Sequence, residues 1–216
     1  MTGGASIGGH GGSDIEGGTC YHRGMSAALK AMTIDEFLAW ESRQELRYEF
    51  DGFRPMAMTG GTIAHEAIGR NLRTELDSQL RGSRCQTFGP TTKIEVAGRI
   101  RYPDALIVCS PLDRKATVVT DPVVVFEVLS DSTAHIDYFE KLREYTATSS
   151  IRRYVILDQD LISATVFVRD GDRMVVETVA RGEMLRVPEI DVEIPLNDLC
   201  RGVEPEQPPD AGAASG

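Results

Sequence analysis

Hydrophobic positions along the chain recur with two periods, and the alternation divides it into a few helices and many strands. Thr33-Ile-Asp-Glu-Phe-Leu opens a capped helix running to about Ser42. Residues 47–50 and 54–58 flank Asp51-Gly52, the strongest short hairpin signal. Ile68, Leu72, Leu76 and Leu80 share one side of a long helix predicted from about Thr62 to Leu80, with Gly82 as its stop. Strands are expected at 84–88, 93–96, 102–109 and 123–129. Ser130-Asp-Ser-Thr then opens a helix to about Thr148. Residues 153–158 and 165–169 continue the sheet, Asp170-Gly171-Asp172 turns the chain into 174–179, and short β segments end near Ile194. The mixture predicts an α/β or α+β domain around a mixed sheet.

The two ends break this pattern. Residues 1–24 are glycine-rich and cannot bury apolar surface, so they are expected to be a disordered extension. Met25 or Met32 is a candidate for the true start codon, a hypothesis that the intact mass of protein from the native locus would decide. The tail, residues 201–216, holds three prolines, small residues and acids and is also expected to be disordered. Residues 25–200 remain as one domain, with no internal repeat.

Composition narrows the function classes. The chain has 216 residues, with 23 Lys+Arg against 33 Asp+Glu, a net charge of −10. The longest apolar run, Val123–Leu129, is far too short to span a membrane and contains Glu127. The N-terminus lacks the pattern of a secretory signal. Cys20, Cys85, Cys109 and Cys200 form no CxxC pair and read as free thiols in a reducing cytoplasm, with Cys85 and Cys109 as small core hydrophobes. The acidic balance argues against strong non-specific nucleic-acid binding. A nuclease is still compatible with it, because metals and a local basic groove offset the charge. Only four basic residues are lysines, Lys30, Lys93, Lys115 and Lys141, so a Lys inside a motif stands out.

Two carboxylates sit where folding alone would not put them. Glu127 interrupts a run that reads as a strand buried on both faces, and Asp104 opens a second such strand after Tyr102-Pro103. An unpartnered buried carboxylate costs several kcal/mol or becomes neutral. Either one alone reads as a strand-end acid reaching solvent or pairing with an arginine such as Arg101. Together, on strands expected to be neighbours, they point to a divalent-metal site. Asp137, Lys141 and Tyr145 form one helical stripe, which alone would be a solvated face with an Asp–Lys pair.

Here the residues carry a resemblance. Tyr102-Pro103-Asp104, then Phe126-Glu127-Val128-Leu129-Ser130, Ser132-Thr133 and Glu140-Lys141-Leu142-x-x-Tyr145 resemble the Uma-type restriction endonuclease family of the PD-(D/E)xK nuclease superfamily. Arg47-Tyr-Glu-Phe-Asp-Gly52, Gly60-Gly61-x-x-x-His65 and Tyr154-Val-Ile-Leu-Asp158 are also similar, in the same order, so the resemblance spans roughly residues 32–199. It implies a restriction-endonuclease-like α/β fold, a mixed β-sheet flanked by helices with metal-binding acids on two central strands. Asp104 matches the Asp of the PD signature and Glu127 the acid of the (D/E)xK signature. The superfamily's lysine position holds Leu129, and Lys141 matches the Uma-type lysine on the following helix. The resemblance makes Asp104, Glu127 and the Val128 carbonyl the metal ligands and Lys141 a catalytic ammonium. Glu49 resembles a further acid contributed from an N-terminal element.

His65 falls on the inward face with Ile68, Leu72 and Leu76, where a histidine is usually a satisfied core residue; the resemblance makes it an active-site lining residue. The opposite face carries Glu66/Arg70, Arg73/Asp77 and Asp77/Arg81, which read as a salt-bridged solvent face. The expected function is a Mg²⁺- or Mn²⁺-dependent, cytoplasmic endonuclease hydrolysing DNA phosphodiester bonds. A homodimer would suit it, because two sites related by a two-fold axis cut both strands. The alternative is a catalytically inactive module that keeps the nuclease fold for binding or structure. No GxSxG motif or suitable Cys–His spacing supports a metal-free hydrolase.

Overall fold

The computed structural model describes residues 31–58, 60–129 and 136–205, leaving the side chains of Ile136 and Asp137 undescribed. The glycine-rich extension, the end of the tail and the expected helix opening at Ser130 therefore lie outside the described residues, as does the Asp137 side chain of the stripe it forms with Lys141 and Tyr145.

Local signals account for the first elements. Helix α1, Ile34–Glu41, starts with a reciprocal capping box between Thr33 and Glu36. Strands β1, Tyr48–Phe50, and β2, Pro55–Ala57, form the expected hairpin. Asp51 Oδ1 accepts hydrogen bonds from the Phe53 and Arg54 amides, and Gly52 has φ +89°. Helix α2, Ile63–Gln79, is capped by Thr62, whose hydroxyl accepts the His65 N–H. There follow β3 Gln86–Phe88, β4 Lys93–Val96, β5 Arg99–Arg101, β6 Ala105–Val108, β7 Val118–Val119, β8 Val124–Leu129 and α3 Ile136–Ala147. The chain continues with β9 Arg153–Asp158, β10 Ser163–Asp170, β11 Arg173–Ala180, β12 Met184–Val187, β13 Val192–Pro195 and α4 Leu196–Leu199.

The strand expected over 102–109 is shorter, β6 alone, and is preceded across Tyr102–Asp104 by a further strand, β5, beyond those expected. β5 folds back on β4 through Ala97 and Gly98, both at positive φ. An Ala in that conformation announces no turn in the sequence. The sheet is also divided. One sheet has the order β11-β10-β9-β8-β6-β3, with only β8 and β9 parallel among these neighbours. The other has the order β2-β1-β5-β4-β7, and β12-β13 form a separate hairpin.

The central strands of the six-stranded sheet are covered on both faces, which explains the almost unbroken apolar run of β8. Val124, Phe126 and Val128 join Ile68, Leu72 and Leu76 of α2, together with Leu185, Ile194 and Leu199. Val125 and Leu129 face the other way, towards Leu142 and Tyr145 of α3 and Ile94 and Val119 of the second sheet. Glu127 alternates with the first set and so points to the α3 side. Phe37, Phe50, Ile100 and Tyr102 form a smaller cluster behind α1.

Two expectations are corrected here. Cys85 and Cys109 are joined as a disulfide and are not free thiols, while Cys200 is free and buried. The β3–β6 register pairs Gln86 with Val108, so the two cysteines come next across from each other. Nothing local reveals a pairing 24 residues apart. The chain also stays packed past residue 200: the Asn71 amide donates to the Leu199 and Arg201 carbonyls, and Val203 lies on the core. Among the described residues no helix is long and apolar enough to cross a membrane.

Candidate active site

Antiparallel register builds the centre of the site. Ala105 of β6 pairs with Phe126 of β8, so one step further Asp104 lies across from Glu127. Residues directly opposite on neighbouring strands share a face with Cβ atoms about 5 Å apart. The Tyr102–Asp104 break lets Asp104 turn its carboxylate along the end of β8. Its Oδ2 accepts the Val128 N–H at 2.7 Å. The expected alternative, an Arg101–Asp104 pair, is absent; Arg101 binds Glu49 and Glu144 instead.

Helix α2 approaches Asp104 from one face of the sheet. His65 Nε2 lies 3.2 Å from Asp104 Oδ2, and this contact raises the imidazole pKa against the opposing effect of burial. Gly61 explains the glycine pair ahead of this histidine: a Cβ there would come within 2.8 Å of His65 Nδ1. Any larger residue would push the ring away from Asp104. Arg73 departs from the expected solvent face. It bonds Glu66, not Asp77, and donates to the Asp104 carbonyl at 3.2 Å.

Helix α3 approaches Glu127 from the other face. Lys141 Nζ donates to Glu127 Oε1 at 3.1 Å, and the buried Tyr145 hydroxyl donates to the same oxygen at 3.0 Å. Lys141 and Tyr145 of the stripe read as solvated are therefore turned inward. Burial raises the Glu127 carboxyl from 4.5 to about 7, helped by Asp104 and Glu49 and opposed by Lys141. Burial and the nearby Glu127 also push the Tyr145 phenol well up. Glu49 stands one layer back, with Oε1 accepting the Tyr102 N–H and Oε2 bonded to Arg101. Leu129, at the usual lysine position, packs in the α3-side cluster.

The structure thus brings together Asp104, Glu127, Lys141 and His65, with Val128 bonded to Asp104 and Glu49 within electrostatic reach of Glu127. The sequence reading missed the Tyr145 contact, the place of Arg73 and the Arg101–Glu144 pair. Only the Lys141-x-x-x-Tyr145 spacing signalled any of them.

The donor set can be compared with a hard divalent cation. Among the described residues, hydrogen bonds and ion pairs engage Asp104 Oδ2 and Glu127 Oε1, so Asp104 Oδ1 and Glu127 Oε2 are the oxygens to compare. Among the described residues no cluster of three or more His, Cys, Asp or Glu side chains is gathered to hold a metal. Two carboxylates, completed by water and a substrate phosphate, would suit Mg²⁺, which rarely uses an all-protein cage. They do not fit zinc, which prefers nitrogen and sulfur ligands.

Several known proteins are similar to this chain. The chain is 29% identical over 183 residues to the uncharacterized protein slr1290 of Synechocystis, covering 82% of this chain and 96% of that protein. It is 25% identical over 162 residues to the uncharacterized protein sll1609 of the same organism, covering 73% of this chain and 92% of that protein. A solved structure from Anabaena variabilis, described as a "putative nuclease belonging to DUF820", superposes with a TM-score of 0.67 at 16% identity. That match covers 78% of this chain and 97% of the other, and it shows the shared fold, a mixed sheet flanked by helices. The profile of the Uma2 family, described as "Putative restriction endonuclease", matches residues 34–197, and the chain belongs to that family.

Proposed function

We propose that the protein is a metal-dependent endonuclease that hydrolyses DNA phosphodiester bonds, with Mg²⁺ or Mn²⁺ as cofactor. The observation that carries this reading is the meeting of Asp104, Glu127 and Lys141 at the end of two adjacent central strands. Asp104, Glu127 and the Val128 carbonyl would hold the cation. Such an ion neutralises charge on the scissile phosphate and makes a water acidic enough to attack it. The Val128 N–H and His65 keep Asp104 Oδ2 occupied, so Oδ1 would be the oxygen offered to the cation. Lys141 and Tyr145 do the same for Glu127 Oε1. The Lys141 ammonium would stabilise charge developing on the attacked phosphate.

The family and the chemistry of a carboxylate–lysine site support DNA as the substrate class. A homodimer is proposed as the working assembly, because a two-fold axis supplies one site per DNA strand. Its mass in solution, measured by light scattering, should be twice that of the chain. The proposed location is the cytoplasm, where such DNA lies; with Cys85 and Cys109 joined, the thiols give that location no support. The test is incubation of purified protein with Mn²⁺ and plasmid or single-stranded DNA over a range of pH and salt. Nicked or degraded DNA is expected, and intact DNA throughout would end the nuclease reading. The competing idea, an inactive binding module, draws on the net charge of −10. It would be favoured by a folded protein that neither cleaves DNA nor takes up Mn²⁺.

A further inference from the structure

Behind the site lies a buried charge network that the proposed chemistry does not use directly. Arg101, the last residue of β5, forks onto Glu144 of α3, with Nε donating to Oε2 at 2.8 Å and Nη2 to Oε1 at 2.7 Å. Its remaining nitrogen, Nη1, donates to Glu49 Oε2 on β1 at 2.9 Å. Arg99 Nε lies 3.0 Å from Glu144 Oε1. The Glu144 side chain is 1% exposed and that of Arg101 4%. Burial alone would lower the Arg101 pKa, but Glu144 and Glu49 hold it above its usual value, so the guanidinium is charged.

Buried ion pairs add little stability compared with apolar residues of the same volume, and fixing one geometry is their best-attested use. A planar guanidinium fork sets both the distance and the orientation of its partner. The position of this fork gives it something to orient. Asp104 follows Arg101 by three residues along the chain. Glu144 is the immediate neighbour of Tyr145 and lies less than one helical turn from Lys141. The fork therefore ties the strand that leads into Asp104 to the helix that carries both groups bonded to Glu127 Oε1.

We infer that Arg101 and Glu144 are positioning residues for the active site. They hold α3 at the rotation and distance that bring Lys141 and Tyr145 onto one oxygen of Glu127. Neither touches the substrate. This role rests on the nuclease reading for its effect on rate, but not for its effect on Lys141.

The test compares Arg101→Lys, which keeps the charge but loses the fork, with the double variant Arg101→Met/Glu144→Met, which removes both charges together. Three quantities are read: DNA cleavage kinetics, Mn²⁺ affinity by calorimetry, and the ¹³Cε resonance of Lys141. The last is resolvable because the chain has only four lysines, and five in Arg101→Lys. Both variants should lose about 10²-fold in kcat, as for a catalytic group displaced by an ångström or so. KM and Mn²⁺ affinity should stay within about twofold of wild type. The Lys141 resonance should move towards that of a solvated lysine. A folded variant with wild-type kcat and an unmoved Lys141 resonance would overturn the inference. Should the wild type fail to cut DNA, the nuclease reading falls, while the Lys141 resonance still decides the positioning role. Should the double variant not fold, Arg101→Lys is read by the same criteria.

Discussion

The two faces of the six-stranded sheet are built from different materials. The α2 face is an apolar core, with Ile68, Leu72 and Leu76 set against Phe126, Val155 and Leu157. Its buried charge is Arg153, met by Glu189 through two hydrogen bonds. The α3 face combines apolar residues with buried Glu127, Glu144, Arg101 and the hydroxyl of Tyr145. The first face removes apolar surface from water at roughly 25 cal/mol per Å² and so supplies stability. The second takes charges out of water, which rarely adds stability. The site sits at the sheet end where the faces meet, with His65 arriving from the stable side and Lys141 from the charged side. Stability and chemistry should therefore separate by mutation.

The largest effect should come from the acids at the junction. Asp104→Asn and Glu127→Gln should each reduce DNA cleavage by at least about 10³-fold in steady-state assays while the protein remains folded. Wild-type cleavage by both variants would remove the distinction between the faces. The α2 face predicts the reverse. Leu72→Ala should cost about 2–5 kcal/mol in denaturant unfolding, yet leave the kcat of the folded fraction near wild type.

Next in size is Lys141→Ala, which should lower kcat by about 10²-fold with Mn²⁺ affinity retained. Adding Leu129→Lys to that variant should restore part of the rate. Leu129 lies two residues beyond Glu127 on β8, so both side chains leave the strand on one face. Wild-type turnover by Lys141→Ala would strip the ammonium of its role.

The α3 face should also show in the pH dependence of stability. In the metal-free protein the Glu127 pKa rises from 4.5 to about 7. Between those values the folded state holds a proton that the unfolded chain has released. Stability must then fall as pH rises through this window, by on the order of 3 kcal/mol once pH exceeds 7. Below pH 4.5 both states are protonated and the penalty vanishes. The difference between wild-type and Glu127→Gln unfolding curves should show that slope, and a flat difference would contradict it. The smallest effect is expected from the ends: removing residues 1–24 and 206–216 should leave Tm nearly unchanged in thermal melts.

Much of this contrast was legible in the sequence, but unevenly. The α2 face follows from periodicity, since the apolar stripe of the helix and the run Val123–Leu129 are local patterns. Glu127 and Asp104 were visible as violations of those same patterns. Their neighbours depend on pairing between distant segments. Arg101 and Glu144 are ordinary surface residue types, and nothing near either one says that they meet 43 residues apart. The Cys85–Cys109 bond is hidden for the same reason. Arg73 misled because helical spacing offered it Asp77, whereas the fold gave it Glu66 and the Asp104 carbonyl.

The central claim is that the end of β6 and β8 is a divalent-metal site, and calorimetric titration with Mn²⁺ tests it most directly. The wild-type protein should bind Mn²⁺ saturably, and Asp104→Asn and Glu127→Gln should each abolish or severely weaken that binding while retaining a wild-type fold. Absence of binding to the wild type, or equal binding to all three proteins, would contradict the assignment of these carboxylates.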